Sequence, residues 1–178
     1  MNDLEHAQNI VLGLIHDVPD FPSPGILFKD ITPVLSSAEG FRACMALLQA
    51  TVADLEFDLV LGVESRGLIL GAALAASRGV GFVPVRKPNK LPRETHRVEY
   101  ALEYGVDSLE VHVDAASPEH RVVLVDDVLA TGGTAAASLE LIRQLGAQIT
   151  AAVFLLEIDA LGARSKLGDT PVRTALHV

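Results

Sequence analysis

The chain has 178 residues, 49% of them hydrophobic and 21% charged, which fits one domain with a sizeable core. Aromatic residues make up only 4% and Trp is absent, so Ala, Val, Leu and Ile must build that core, as in parallel strands covered by helices. A formal net charge of −9 excludes a general nucleic-acid binder, which needs a basic face, but leaves room for a small anion met by local cations.

The first residues, MNDLEH, lack the basic stretch and apolar block of a secretory signal. Leu4, Ile10, Val11, Leu14 and Ile15 recur at helical spacing and predict an amphipathic helix over residues 3–16. In VPDFPSPG, residues 18–25, three prolines and a glycine forbid regular structure. A second helix starts at Ser36 or Ser37, with Ser36-x-x-Glu39 as a capping box and Phe41, Met45, Leu48 and Val52 along one face. The only cysteine, Cys44, falls in that helix. It permits no intramolecular disulfide, argues against a thiolate metal site, and reads as a small core hydrophobe in a reducing compartment.

From residue 58 strands and helices alternate. Asp58–Val63 reads as a buried strand, Leu68–Arg78 as a helix ended by Gly79, and Gly81–Val85 as the next strand. The apolar rhythm then stops. Residues 86–105 form a dense set of Lys, Arg, Pro, Glu and Tyr, too long for an idle connector. Alternation returns at Leu109, Val111 and Val113; Arg121–Val125 is a strand, Thr134–Leu145 a helix stopped by Gly146, and Ile149–Leu156 a further strand. The order predicts an α/β fold with a mostly parallel central sheet flanked by helices, in a single domain over 1–178 without repeats or linkers. The longest apolar runs are too short to span a bilayer, so a cytoplasmic protein without a membrane partner is expected.

The chemistry concentrates in VVLVDDVLATGGT, residues 122–134. A strand runs into Asp126-Asp127, then Ala130-Thr131-Gly132-Gly133-Thr134, then a helix. The glycines let the backbone turn and expose its N–H groups, and the helix N-terminus favours an anion there. Thr131 and Thr134 add hydroxyl donors, so a phosphate monoester fits. The paired acids would repel a bare phosphate; they suit the vicinal hydroxyls of a ribose, with Mg²⁺ shared by the same substrate easing the charge. No Lys precedes the final Thr, so this is not a Walker loop, and the acids precede the glycines, so it is not a Rossmann fingerprint. A strand ending in a solvated acid pair is the plainer alternative, and the full run of features in order argues against it.

This loop resembles that of the type I phosphoribosyltransferases. DFPSPGILFKDITPVL (20–35), GVESRG (62–67), RKPNKLPRET (86–95) and LEYG (102–105) extend the likeness to the adenine phosphoribosyltransferase family over nearly the whole chain. The resemblance implies the type I phosphoribosyltransferase fold, with an N-terminal helix and base-covering hood over 1–35 and a flexible catalytic loop over 86–105. It implies transfer of ribose 5-phosphate from phosphoribosyl pyrophosphate (PRPP) to adenine, giving AMP and pyrophosphate with Mg²⁺, in a homodimer. The metal would be held mainly through PRPP, with no direct protein ligand. Two alternatives stay open: another purine (hypoxanthine, guanine or xanthine), or a PRPP-sensing regulator without catalysis.

On these positions the residues take chemical roles. Cleaving the C1–pyrophosphate bond builds positive charge on the ribose and negative charge on the leaving group, so catalysis is positioning and electrostatics. Ser65 and Arg66, after the first buried strand, would hold pyrophosphate, and the Glu64–Ser65 peptide is expected to be cis by resemblance. Arg86, Lys87 and Lys90 add cations, with a solvated patch as the alternative for Lys87. Leu27, Phe28 and Lys29 would cover adenine, Phe28 by stacking; Lys29 stands where relatives often carry Arg, keeping the charge but losing the planar fork. Glu103 is the candidate general acid/base for the purine proton and Tyr104 a lid residue near the pyrophosphate.

Overall fold

The alternating aliphatic runs after residue 58 become, in the computed structural model, one five-stranded parallel sheet. The structure describes residues 3–101 and 106–178 and divides into two units, residues 1–50 and 51–178.

In the first unit α1 spans Asp3–Leu14, two residues short of the predicted end. The proline-rich stretch is more regular than expected. β1 (His16–Pro19) and β2 (Leu27–Asp30) pair antiparallel, and only residues 20–26 between them are irregular. A two-stranded ribbon has only edges, so Pro19 costs it no interior ladder bond. The Gly25 N–H donates to Asp20 Oδ1 at 2.7 Å and closes the turn. A short α2 (Thr32–Ser36) starts where Asp30 accepts from the Thr32 N–H and hydroxyl, at 2.9 and 2.7 Å.

α3 covers Ala38–Thr51. Its cap is Ser37, whose Oγ accepts the Gly40 N–H at 3.0 Å. Ser36 closes α2 instead, its hydroxyl donating to the Pro33 carbonyl, so the Ser36–Glu39 box does not form. Cys44 is fully buried, and burial pushes its thiol up to about 12, as befits an inert core residue.

The second unit runs β3 (Leu59–Val63), α4 (Arg66–Arg78), β4 (Gly81–Val85), β5 (Thr95–Ala101), β6 (Val106–His112), β7 (Arg121–Leu129), α5 (Gly133–Gln144), β8 (Gln148–Glu157), two 3-10 turns (Asp159–Leu161 and Ala163–Lys166) and β9 (Val172–His177). The sheet order is β4-β3-β7-β8-β9. Every residue of β3 is buried, as a central parallel strand covered on both faces requires. Leu61, Leu124, Leu139, Leu141, Ile142 and Phe154 anchor the core. No helix of the described residues is long and apolar enough to cross a membrane.

Two strands of this unit escaped sequence reading. Residues 86–105 contain a strand: β5 pairs antiparallel with β6. The pair is tied to the end of β4 by mutual backbone bonds between Arg86 and Glu110, at 2.9 and 2.8 Å. Among the described side chains of β5, Val98 and Tyr100 pack on the core, whereas Arg97 and Glu99 are exposed, so its alternation is diluted by charge. The edge strand β9 is only partly buried and carries Arg173 and Thr174 among its apolar residues.

The chain order reverses direction in the sheet between β3 and β7, with β4 beyond one and β8 beyond the other. At such a switch point the loops leaving the carboxyl ends of neighbouring strands diverge and leave a crevice. The turns after β3, β4 and β7 open at that end of the sheet.

Candidate active site

β7 is longer than its aliphatic run suggested and continues through both acids to Leu129. Asp126 and Asp127 are therefore strand residues, 8% and 5% exposed, and not the start of a loop. Asp126 lies under the first turn of α4. A Cβ on Gly67 would fall 2.7 Å from Asp126 Oδ1 and 2.7 Å from the Val125 carbonyl oxygen, so only glycine lets the helix start this close to the strand. Burial, and then the charge of Asp127 beside it, push the Asp126 carboxyl well above the ordinary carboxylate range. Its Oδ1 also accepts the Asp127 N–H at 2.9 Å. Asp127 is bonded instead to the Arg66 guanidinium through Nε.

At the end of β3 the Glu64–Ser65 peptide is cis, as the resemblance implied. Arg66 and Gly67 then open α4, with Ser65 as its first flanking residue. Glu64 organises the neighbouring turn. Its Oε2 accepts from Arg86 Nε at 3.0 Å and from the Lys87 backbone N–H at 2.7 Å. Burial works against the charged form of Glu64, yet those two donors outweigh it and hold its carboxyl below the ordinary value.

Lys87 reaches across to β6, where its Nζ binds Asp107 and lies 3.4 Å from the Tyr100 hydroxyl. Its burial favours the neutral amine, but Asp107 and Tyr100 reverse this and raise its pKa. Lys90 is exposed on the same turn, and the buried Glu110 accepts the Asn89 N–H at 3.2 Å.

The segment Ala130–Gly133 crosses from β7 into α5. Gly132 precedes the helix at φ +82°, a left-handed conformation costly to any residue with a Cβ, and its carbonyl accepts the Ala136 N–H at 2.9 Å. No side chain caps this helix among the described residues, so its first N–H groups face the crevice end of the sheet as donors for an anion. Thr131 is exposed, while the Thr134 hydroxyl donates to the Tyr100 hydroxyl at 3.3 Å.

In the first unit Leu27, Phe28 and Lys29 follow one another on β2. Leu27 is half-exposed, Phe28 meets Phe21 edge to face with ring centres 5.1 Å apart, and Lys29 Nζ pairs with Asp17 at 2.7 Å. Glu103 and Tyr104 lie outside the described residues.

The structure thus brings Ser65, Arg66, Asp126, Asp127, Arg86, Lys87 and the Ala130–Thr134 turn to one end of one sheet. Sequence reading missed three organisers: Glu64, which orients Arg86 and Lys87, and Tyr100 and Asp107, which contact Lys87 from the β5–β6 ribbon. Glu64 was within sight, next to the singled-out Ser65. Tyr100 and Asp107 had no signal, because only strand pairing puts them opposite each other.

Comparison with known proteins agrees with this geometry. The family model described as "Phosphoribosyl transferase domain" matches residues 31–172. An adenine phosphoribosyltransferase of a Nocardioides species is 56% identical over 171 residues, covering 94% of this chain and 92% of the relative. The crystal structure of adenine phosphoribosyltransferase from Thermoanaerobacter pseudethanolicus superposes with a TM-score of 0.93 at 47% identity, covering 98% of this chain and 99% of the other. The Saccharomyces cerevisiae enzyme, solved with an iminoaltritol bisphosphate and adenine, gives 0.89 at 40% identity, covering 97% and 99%. With the strand–acid pair–glycine turn at the switch point and identity of this extent, the chain belongs to the adenine phosphoribosyltransferase family of type I phosphoribosyltransferases.

Proposed function

We propose that the crevice beyond β3 and β7 carries out the reaction of the family: ribose 5-phosphate passes from PRPP to adenine, yielding AMP and pyrophosphate. One observation carries the site assignment. The uncapped N-terminus of α5 and the acid pair of β7 stand at the same end of the sheet as the Arg66, Arg86 and Lys87 cations. A ribose bearing phosphate at one end and pyrophosphate at the other needs that set.

In this reading the N–H groups and hydroxyls of Ala130–Thr134 hold the 5-phosphate. Asp126 and Asp127 meet the ribose hydroxyls, and Ser65, Arg66, Arg86, Lys87 and Lys90 hold the pyrophosphate. The cations stabilise the charge that develops as the C1–oxygen bond breaks, while N9 of adenine takes its place. Leu27, Phe28 and Lys29 form the base site. Glu103 manages the purine proton, and Tyr104 closes beside the leaving group and helps exclude water that would hydrolyse PRPP.

Mg²⁺ belongs to the proposal. The acids near the ribose fit a shared rather than a dedicated metal, since Asp126 is buried under α4 and Asp127 is bonded to Arg66. When bound, the ion would neutralise pyrophosphate, which supplies most of its oxygen ligands. A homodimer and a cytoplasmic setting complete the reading; the single buried thiol supports a reducing compartment.

The deciding experiment incubates the chain with PRPP, Mg²⁺ and each purine or orotate in turn. AMP should form from adenine. Another nucleotide in its place would overturn the base assignment, and PRPP binding without turnover of any base would make the chain a sensor.

A further inference from the structure

The far wall of the phosphate turn is built by the segment after β8. A Cβ on Gly132 would fall 2.9 Å from the Ala163 carbonyl oxygen and 3.2 Å from the Ala163 Cβ, so Ala163 sets how far Gly132 can move on that side. Ala163 is 1% exposed. The next residue, Arg164, is clamped on Glu157: Nε lies 2.9 and 3.1 Å from the two carboxylate oxygens and Nη2 lies 2.6 Å from Oε2. Nη2 also donates to the Thr174 hydroxyl at 3.1 Å, and that hydroxyl lies 3.2 Å from Glu157 Oε2.

Glu157 touches the turn from the other side. It is 5% exposed and pairs in the sheet with Leu129, the last residue of β7 before the turn. The Ile158 N–H donates to the Leu129 carbonyl at 3.0 Å. The ion pair therefore joins the root of the phosphate turn to its far wall.

Stability alone is a poor reason for such a pair. Only the carboxylate is buried; the Arg164 side chain is 49% exposed, and an ion pair open to solvent on one side typically contributes only about 0–1 kcal/mol. What a forked guanidinium–carboxylate contact adds is a fixed distance and orientation. Anion-binding N–H groups need that, because a site must be held to within about 0.5 Å to work. Glu157, Asp159 and His177 bring ligand-type atoms within 4.8 Å of one another, but Arg164 already supplies the positive charge beside Glu157 that an ion would bring.

We infer that Glu157 and Arg164 are positioning residues for the phosphate turn, and that they set its affinity for the 5-phosphate of the substrate. The inference rests on the reading that Ala130–Thr134 holds that phosphate. Neither residue need touch the ligand. Their effect should be confined to ligands carrying the 5-phosphate.

The test measures binding of ribose 5-phosphate and, separately, of pyrophosphate to the full chain, together with KM and kcat for PRPP. Arg164→Ala should weaken ribose 5-phosphate and raise KM for PRPP about tenfold, equivalent to ~1.4 kcal/mol, while leaving pyrophosphate affinity and kcat within roughly twofold. Added guanidinium ion should restore part of the loss. Because Arg164→Ala strands a buried carboxylate and threatens folding, the double variant Glu157→Leu/Arg164→Met carries the argument independently. It should melt at or near the wild-type temperature yet bind ribose 5-phosphate as weakly as Arg164→Ala.

A well-folded double variant with wild-type ribose 5-phosphate affinity overturns the inference, and so does equal weakening of ribose 5-phosphate and pyrophosphate. Thr134→Val separates the underlying reading. If it leaves ribose 5-phosphate binding unchanged, the turn is not the phosphate site. If it weakens binding while the double variant does not, the positioning role alone falls.

Discussion

Replacing Gly67 by Ala adds one methyl group at the seam where α4 meets β7. Its Cβ would lie 2.7 Å from the Val125 carbonyl oxygen and 3.0 Å from Asp126 Cα, both backbone atoms of a central strand that cannot swing aside. Forcing a methylene into such a place typically costs about 1–3 kcal/mol. Alanine recovers part of that, up to about 1 kcal/mol, through its helix preference over glycine. For a chain of this length each kcal/mol moves Tm by about 2–4 °C, so a net fall of several degrees is expected in a thermal melt.

Gly13→Ala in α1 is the matched control. Among the described residues nothing lies within 4 Å of its Cβ position, so the same change should raise Tm by roughly 1–4 °C. Functionally, the displaced start of α4 carries Arg66 with it, and KM for PRPP should rise by more than the stability change alone would cause. The reasoning is refuted if Gly67→Ala melts like the wild type and keeps its KM for PRPP.

Three further outcomes follow from the site. Glu103→Ala should lower kcat far more than PRPP affinity, and unchanged turnover would remove its role in moving the purine proton. Asp127→Asn weakens the contacts to Arg66 and to the ribose together, so titration with PRPP should show reduced affinity; a wild-type value would mean that the acid does not hold the ribose. Glu157 titrates below its ordinary value of 4.5, chiefly through the Arg164 guanidinium. A depressed carboxylate contributes stability that is full above the ordinary value and lost as the pH falls through the folded one. The acid limb of Tm against pH should therefore be flatter in Glu157→Gln, and identical limbs would contradict the assignment.

The α/β architecture was legible because its strands are buried on both faces: LVLGV and VVLV have no polar residue to confuse their period. The turn after β7 was legible because its left-handed position demands glycine and a helix starts directly after it. β5 was not, since a ribbon with one face in solvent alternates the charged Arg97 and Glu99 with the core-facing Val98 and Tyr100, and β1 was masked by the prolines around it. Long-range pairs were invisible for a different reason. Lys87–Asp107 and Arg66–Asp127 depend on which strand lies beside which, and chemistry-bearing residues in unrelated segments give no periodic sign of meeting. Even the acid pair was only half read. Its adjacency was plain in the sequence, but the burial of Asp126 under Gly67 follows from the packing of a helix some 60 residues earlier.

That burial bears on how a chain of net charge −9 takes a polyanion. Three of the cations at the crevice end already have a carboxylate: Arg66 has Asp127, Arg86 has Glu64 and Lys87 has Asp107. The pairs hold like charges in place that would otherwise repel one another, yet they leave the crevice with little net positive charge. Asp126 bears on this balance, because burial and the neighbouring Asp127 raise its pKa and so favour the protonated acid, the form that carries no negative charge, over a wider pH range than for an ordinary carboxyl.

The sign of the pH effect follows. As pH rises through the raised value the carboxyl ionises, the crevice gains a negative charge, and PRPP affinity should fall. Asp126→Asn cannot ionise, so the ratio of wild-type to variant affinity should decline with rising pH. The second ionisation of the substrate's phosphate, near pKa ~6, is common to both proteins and cancels in that ratio. A ratio that stays flat from acid to alkaline buffer would mean that Asp126 keeps one charge state throughout and does not relieve the crevice.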